Sequence, residues 1–165
     1  MKEHVMLFEE WGTETWWHGS KDEFDAFDRP QLTASHREHD IPTWWFTDDR
    51  DYAMKYADVP GGGWMYKARL DLKNTLDLSI PEKRSQFEKW LRARPSEYSE
   101  KDVERIFDEQ WGIDLPYWTN DTVLWYAAME GYDSVYFEEE LDGSVTSVAV
   151  IGDSSRIKVY DKQRV

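Results

Sequence analysis

Cysteine is absent from the chain, which excludes disulfides, thiolate metal sites and a cysteine nucleophile and fits a reducing compartment. Also missing is any run of about 18 apolar residues, and the opening Met-Lys-Glu-His-Val-Met-Leu-Phe-Glu-Glu holds no long apolar stretch followed by a cleavage site. Neither membrane insertion nor export is expected, so the cytoplasm is the expected location. Basic residues are scarce: 20 Lys and Arg face 34 Asp and Glu, a net charge of −14. Such a surface repels a phosphate backbone and has no basic stripe to displace counterions, so direct binding of nucleic acid is not expected. The same field would draw a positively charged macromolecule. No G-x-S-x-G elbow is present. The four histidines form no HExxH pair, and His36, His39 and Asp40 have little to recommend them as ligands, so no metal is expected. Gly61-Gly62-Gly63 precedes an apolar alternation and lacks the lysine and the following helix of a phosphate-binding loop, which leaves it a turn.

Aromatic residues are abundant instead, with 10 Trp, 9 Tyr and 7 Phe. Rings in that number are costly to expose, so some belong in a core and some in a recognition surface or pocket. With 165 residues and 40% hydrophobic content, one core is well supplied and two would be starved, so a single domain over 1–165 is expected.

Short strands are expected at 5–8 and 14–17, with a turn at Gly12-Thr13, and Phe24 and Phe27 at i, i+3 suggest one or two helical turns over 21–27. A polar loop follows over 31–42. A strand at 43–47 then leads into a helix to about Ala57, with Asp48 or Asp49 positioned to accept from its first amides. Residues 64–72 alternate cleanly, with Trp64, Tyr66, Ala68, Leu70 and Leu72 on one side, and 75–78 extends the sheet. Residues from about 81 to 130 read as helical: Pro81 opens one helix, Ser99 with Asp102 resembles a capping box for a second that points Val103, Ile106, Phe107 and Trp111 inward, and Asn120 or Asp121 starts a third that Gly131 ends. Strands return at 134–140, 145–151 and 156–160, with a hairpin turn at Asp142-Gly143. The pattern predicts an α+β fold with a helical segment set between two groups of strands.

Two stretches carry the chemistry. The first is Glu14-Thr-Trp-Trp-His-Gly-Ser-Lys21, in which alternation puts Trp16 with His18 and turns Trp17 the other way. Its plain reading is a buried strand end; its sharper one is a pocket for a flat heteroaromatic ligand. The second is Trp44-Trp-Phe-Thr-Asp-Asp-Arg-Asp-Tyr-Ala-Met-Lys-Tyr56, where Trp45 ends a strand and Tyr56, eleven residues later, lies on the next helix. A strand-turn-helix unit can bring two such rings to one cleft. Late in the chain, period two continues Val135 and Phe137 into Glu139 and sets Tyr136 with Glu138 and Glu140. A carboxylate prolonging an apolar face calls for a partner or a function; the plain alternative is a solvated acidic strand end.

In order and chemistry these segments resemble the diphtheria-toxin and poly-ADP-ribose-polymerase branch of the ADP-ribosyltransferases. They are also similar to a phage anti-CRISPR ADP-ribosyltransferase, through His-Gly-Ser, Asp51-Tyr-Ala-x-x-Tyr56 and the Gly-Tyr-x-Ser-Val strand before the acidic cluster. Asn74-Thr-Leu-Asp-Leu and the closing Ile-Lys look like phage polyvalent-protein transferases. The resemblance implies a split β-sheet core with an inserted helical segment, NAD as substrate, no metal, and a protein target, for which the acidic charge suggests a basic surface. It further implies a counter-defence factor or toxin acting in the bacterial host cytosol. Carried over by position, His18 would hold the ribose and amide of NAD, Gly19 would offer its backbone to the carboxamide, and Tyr56 would stack on nicotinamide. Ser20, Trp45, Thr47 and Tyr52 would complete the dinucleotide site, and Glu139 would be the catalytic acid, with Glu138 and Glu140 as rivals. Trp45 departs from the tyrosine usual in that branch, since an indole stacks but offers no phenol. A non-catalytic acidic binder, or a mimic of nucleic acid that blocks a basic complex, is the alternative from a different class.

Overall fold

A computed structural model describes residues 15–27, 41–107, 117–139 and 145–165. In chain order these residues form β1 (Trp16–Ser20), β2 (Thr43–Thr47), α1 (Arg50–Ala57), β3 (Trp64–Leu70), β4 (Thr75–Asp77), α2 (Pro81–Arg92), α3 (Glu100–Ile106), α4 (Tyr117–Met129), β5 (Ser134–Glu139), β6 (Val145–Ile151) and, after a short 3-10 turn, β7 (Ile157–Arg164). The architecture is α+β. Seven strands make one sheet in the order β4-β5-β6-β2-β1-β3-β7, antiparallel throughout except for the β4–β5 pair. The expected strand at 5–8, the turns at Gly12-Thr13 and Asp142-Gly143, most of the 31–42 loop, Trp111 and Glu140 lie outside the described residues.

Alternation decides what each face carries. Paired residues share a face, so the row Trp17, Thr47, Ser147 and Phe137, read across four strands, places all four on one side. The helices pack on this side. Ala53 and Ala57 of α1 sit with Trp17 and Met65, while α2, α3 and α4 bury Phe87, Trp90, Leu91, Val103, Ile106, Val123, Leu124 and Ala127 against Leu76, Val135, Phe137, Ala149 and Ile151. The opposite side is built from rings and branched chains: Trp16, Trp44, Phe46, Tyr66, Leu70, Val148 and Val150, joined by Phe24 and Phe27. Each large apolar side chain so buried contributes about 2 kcal/mol.

The helices begin where the side chains allow. Asp49 caps α1 by accepting from the Tyr52 amide at 2.7 Å, Pro81 occupies the first turn of α2, and Ser99 and Asp102 make a reciprocal capping box for α3. Residues 21–27 are bends, not the helical turn their phenylalanine spacing suggests. Two rings three apart also meet the sheet from a bent segment, and there Phe24 stacks on Tyr66 with centroids 4.2 Å apart. Helix α4 starts earlier than Asn120, and β7 runs to Arg164, beyond the expected 160.

Two features fix the parts that matter for the site. Asp133 ties β4, β5 and the 3-10 turn together: its carboxylate accepts from the amides of Lys73 (2.8 Å) and Asn74 (3.0 Å) and the hydroxyl of Ser134 (2.7 Å), and pairs with Arg156 at 3.3 Å. Helix α1 lies directly on β1 because Gly19 has no side chain. A Cβ at Gly19 would stand 1.9 Å from the Ala53 carbonyl oxygen and 3.2 Å from the Ala57 amide nitrogen, both backbone atoms that cannot swing away. Gly19→Ala should therefore lower the stability of the protein by about 1–3 kcal/mol, the range for overpacking a rigid contact, seen as a lower midpoint in urea at unchanged slope.

Candidate active site

The sheet is weakest in its middle. Strand β1 pairs with β3 along its length, from Trp16 with Ala68 to Ser20 with Trp64, but with β2 the register has a single Cα pair among the described residues, Trp17 with Thr47. His18 bridges this seam. Its Nδ1 lies 2.7 Å from the Trp45 carbonyl oxygen. A carbonyl only accepts, so Nδ1 carries the hydrogen and donates. The Nε2 of the neutral ring is then left as an acceptor.

The surroundings keep that ring neutral. His18 is 7% exposed. Phe27 stands edge-on at 5.0 Å between centroids, Phe46 at 5.6 Å, Phe24 at 5.9 Å and Tyr66 at 6.1 Å. Desolvation by these rings pushes the imidazole below its ordinary 6.5, partly opposed by the bond to Trp45. Trp16, on the same face, is a core residue at 1% exposure. Trp17 points the other way and lies between Arg50 and Lys67, whose charged groups are 5.7 and 5.0 Å from its ring centroid.

The remaining expected site residues divide by face. Trp45 and Thr47 of β2 lie on the helix-bearing side. The Trp45 indole is half-buried and leans on Phe137 at 5.1 Å, while its main-chain oxygen takes the His18 bond, so an indole in place of a phenol leaves that bond untouched. The buried Thr47 hydroxyl accepts from the Asp49 amide at 3.2 Å, and Ser20 Oγ accepts from the Asp22 amide at 3.1 Å. On α1, Tyr56 is exposed and its hydroxyl donates to that of Tyr52 at 3.4 Å, with the rings 5.8 Å apart. Lys55 Nζ sits 4.7 Å from the Tyr52 ring centroid.

Among the glutamates, Glu139 pairs in register with Val145, two residues beyond Phe137 with Ser147, which assigns position 139 to the side that carries Trp45 and α1. Glu138 belongs to the other side, next to Tyr136, and is exposed. Burial pushes the Tyr136 phenol up, opposed by its bond to Thr146 at 3.3 Å and reinforced by Glu138. The structure thus brings β1 and β2 together at one seam but divides the expected residues between its faces: His18 lies on the ring-lined side, which Glu138 shares, whereas Trp45, Thr47, α1 with Tyr52 and Tyr56, and position 139 lie on the other. Sequence reasoning missed Tyr66, Phe24, Phe27 and Phe46 as the enclosure of His18. Alternation groups Tyr66 with the other rings of β3, but nothing local says that β3 pairs with β1. Among the described residues no cluster of His, Asp or Glu is arranged to hold a metal ion, and no helix is long and apolar enough to cross a membrane.

Comparison with known proteins decides the family. A model described as ADP-ribosyltransferase in polyvalent proteins matches residues 14–164. The chain belongs to this family. The ADP-ribosyltransferase assignment spans all seven strands, including the seam with His18 and Trp45. Among curated proteins none matches. A solved structure titled as the crystal structure of an anti-CRISPR protein is similar in fold, with a TM-score of 0.52 at 12% identity, covering 93% of this chain and 98% of that one.

The lowered proton affinity of His18 has a signed consequence. The unfolded imidazole takes up a proton near 6.5 and the folded one resists it, so the unfolded state binds more protons and stability falls as pH drops through 6.5. In urea titrations at pH 7.5 and 5.5, His18→Asn, which keeps a donor for the Trp45 carbonyl, should lose less stability on acidification than the wild type. The difference is bounded at about 1.4 kcal/mol per pH unit for one proton. An NMR titration should place the His18 midpoint below 6.5.

Proposed function

We propose that the protein is a mono-ADP-ribosyltransferase that moves ADP-ribose from NAD to a side chain of another protein. The family match over residues 14–164 carries this reading. The seam supports it: His18 offers a neutral Nε2 acceptor suited to a ribose hydroxyl, and Gly19, which has no Cα partner on β2 among the described residues, has backbone groups suited to a carboxamide. Tyr56 supplies an exposed ring for stacking on nicotinamide, with Tyr52 behind it and Trp45, Thr47 and Ser20 around the seam.

In this reaction the bond between ribose C1′ and the nicotinamide nitrogen breaks, and its electron pair leaves with nicotinamide. Positive charge builds on the sugar as in glycoside cleavage. A fixed carboxylate stabilises that charge where it develops. We give Glu139 this role because its register sets position 139 on the side of α1, where Tyr56 lies; the His18 ring faces the other side of the sheet, which Glu138 shares, so Glu138 is its main rival, with Glu140. The lone pair of the acceptor then forms the new bond to C1′ and its proton passes to a base. Rings that exclude water favour a positioned acceptor over hydrolysis.

The target is proposed to be a protein with a basic surface, drawn by the net charge of −14, with neither nucleic acid nor membrane as the partner and the cytosol of a bacterial host as the setting. A likeness in fold to an anti-CRISPR protein suits a phage counter-defence factor or a toxin. One observation favours a second reading, a non-catalytic acidic binder that blocks a basic complex: the His18 imidazole is closed off by four rings.

Labelled NAD incubated with a bacterial lysate separates the two. Transfer to a macromolecule is expected from the wild type, with Glu139→Gln slower by about 10²-fold or more, as for loss of a transition-state charge partner. His18→Ala and Tyr56→Ala should also lower the rate, Tyr56→Ala chiefly through a higher KM for NAD. Transfer indifferent to all three changes would reject the site. Absence of both transfer and nicotinamide release would leave the binder, whereas free nicotinamide with no labelled macromolecule would mean hydrolysis.

A further inference from the structure

We infer that Lys162 and Tyr66 are positioning residues for His18: together they clamp residues 21–27 onto the sheet, and that segment supplies half of the ring enclosure around the imidazole. All four helices pack on the opposite side of the sheet. On the side of His18, the described side chains that join the core from outside the strands are Phe24, Phe27 and Leu72. Of the four rings around His18, Phe46 and Tyr66 belong to strands and are fixed by them, whereas Phe24 and Phe27 belong to a bent segment with no helix or ladder of its own. Something else must hold that segment in place.

The holding groups come from two neighbouring strands. Tyr66 Oη accepts from the Phe24 amide at 2.8 Å and donates to the Asp22 carbonyl at 3.3 Å, while its ring lies flat against Phe24, 8° from parallel. Lys162 is the Cα partner of Tyr66 on β7, and its ammonium donates to Glu23 Oε1 at 2.9 Å and Asp25 Oδ1 at 2.8 Å, one carboxylate on each side of Phe24. Hydrogen bonding to Asp25 and Glu23 holds the Lys162 ammonium above the usual lysine range, and the same bond holds the Asp25 carboxyl below its usual value. In a chain with so large an acidic excess, Glu23 and Asp25 would otherwise repel each other and lift the segment. Three titratable groups thus surround the clamp from the segment and from β7, with the Tyr66 phenol from β3. None of them is among the causes that set the proton affinity of His18, which are desolvation, lowering it, and the Trp45 bond, raising it. The clamp acts on the imidazole by excluding water, not by charge.

The consequence for turnover rests on the NAD reading; the enclosure does not. The experiment therefore reads His18 directly, as the rate of its modification by diethyl pyrocarbonate in the full chain, with peptide masses separating it from His4, His36 and His39. Lys162→Met should raise the His18 rate by about tenfold through more frequent local opening, with the rates at the other three histidines unchanged. Lys162→Arg, which keeps two charge-assisted bonds, should restore the wild-type rate, and Tyr66→Phe, which keeps the stacked ring but loses both hydroxyl bonds, should also raise it. Should Lys162→Met fail to fold, the wild type in rising salt takes its place, since exposed ion pairs are screened over about 3 Å at 1 M and the His18 rate should climb with salt. A His18 rate unmoved by loss of the lysine and of the phenol overturns the assignment, as does an equal acceleration at all four histidines. A wild type that labels nothing from NAD would end the functional reading while these rates still decide the clamp.

Discussion

The bond from His18 Nδ1 to the Trp45 carbonyl is the contact on which the candidate site depends. It crosses the one place where two neighbouring strands of the sheet share a single Cα pair among the described residues, so a side chain does there what a backbone ladder does elsewhere. The bond needs a hydrogen on Nδ1, which either protonation state can supply, and burial under four rings favours the neutral one. The carbonyl thus sets the tautomer and the enclosure the charge. The same enclosure is the reason this side of the sheet is aromatic: rings exclude water without offering a competing hydrogen-bond partner.

Gly19 shows how packing and chemistry can select the same residue. Its missing side chain lets α1 rest on β1 through the backbone of Ala53 and Ala57, and Gly63 repeats the device, since a Cβ there would lie 2.2 Å from the Ala57 carbonyl oxygen. The helix is thereby brought close to the seam, and Tyr52 and Tyr56 come with it. A glycine beside a histidine in a motif is thus accounted for by sterics before any ligand is considered.

Local pattern was enough for much of this. Alternation in β3 grouped Tyr66 with Trp64, Ala68 and Leu70, alternation in β5 divided Glu138 from Glu139, and capping chemistry located the starts of α1, α2 and α3, because each of these depends on residues within four positions of one another. What stayed hidden was pairing across distance. The parallel contact of Thr75 with Ser134, the approach of β3 to β1, and Lys162 reaching Glu23 are set by the closure of the whole sheet. The spacing of Phe24 and Phe27 misled for a physical reason, since three residues separate two rings on one side of a helix and also two rings of a bend pressed on a sheet. The sequence order singled out His18, Gly19, Trp45 and Tyr56 as candidates; the rings that enclose His18 were not legible, because they are neighbours only in space.

The ion pairs from Lys162 to Glu23 and Asp25 also order events in time. They join positions 139 and 137 residues apart, so a ribosome must deliver β7 before the enclosure beside β1 can be sealed. Long-range closure of this kind is slow to nucleate. During synthesis the histidine strand emerges well before this lysine and waits, wetted and chargeable, until β7 follows; maturation of the site is in this sense paced by its most distant strand.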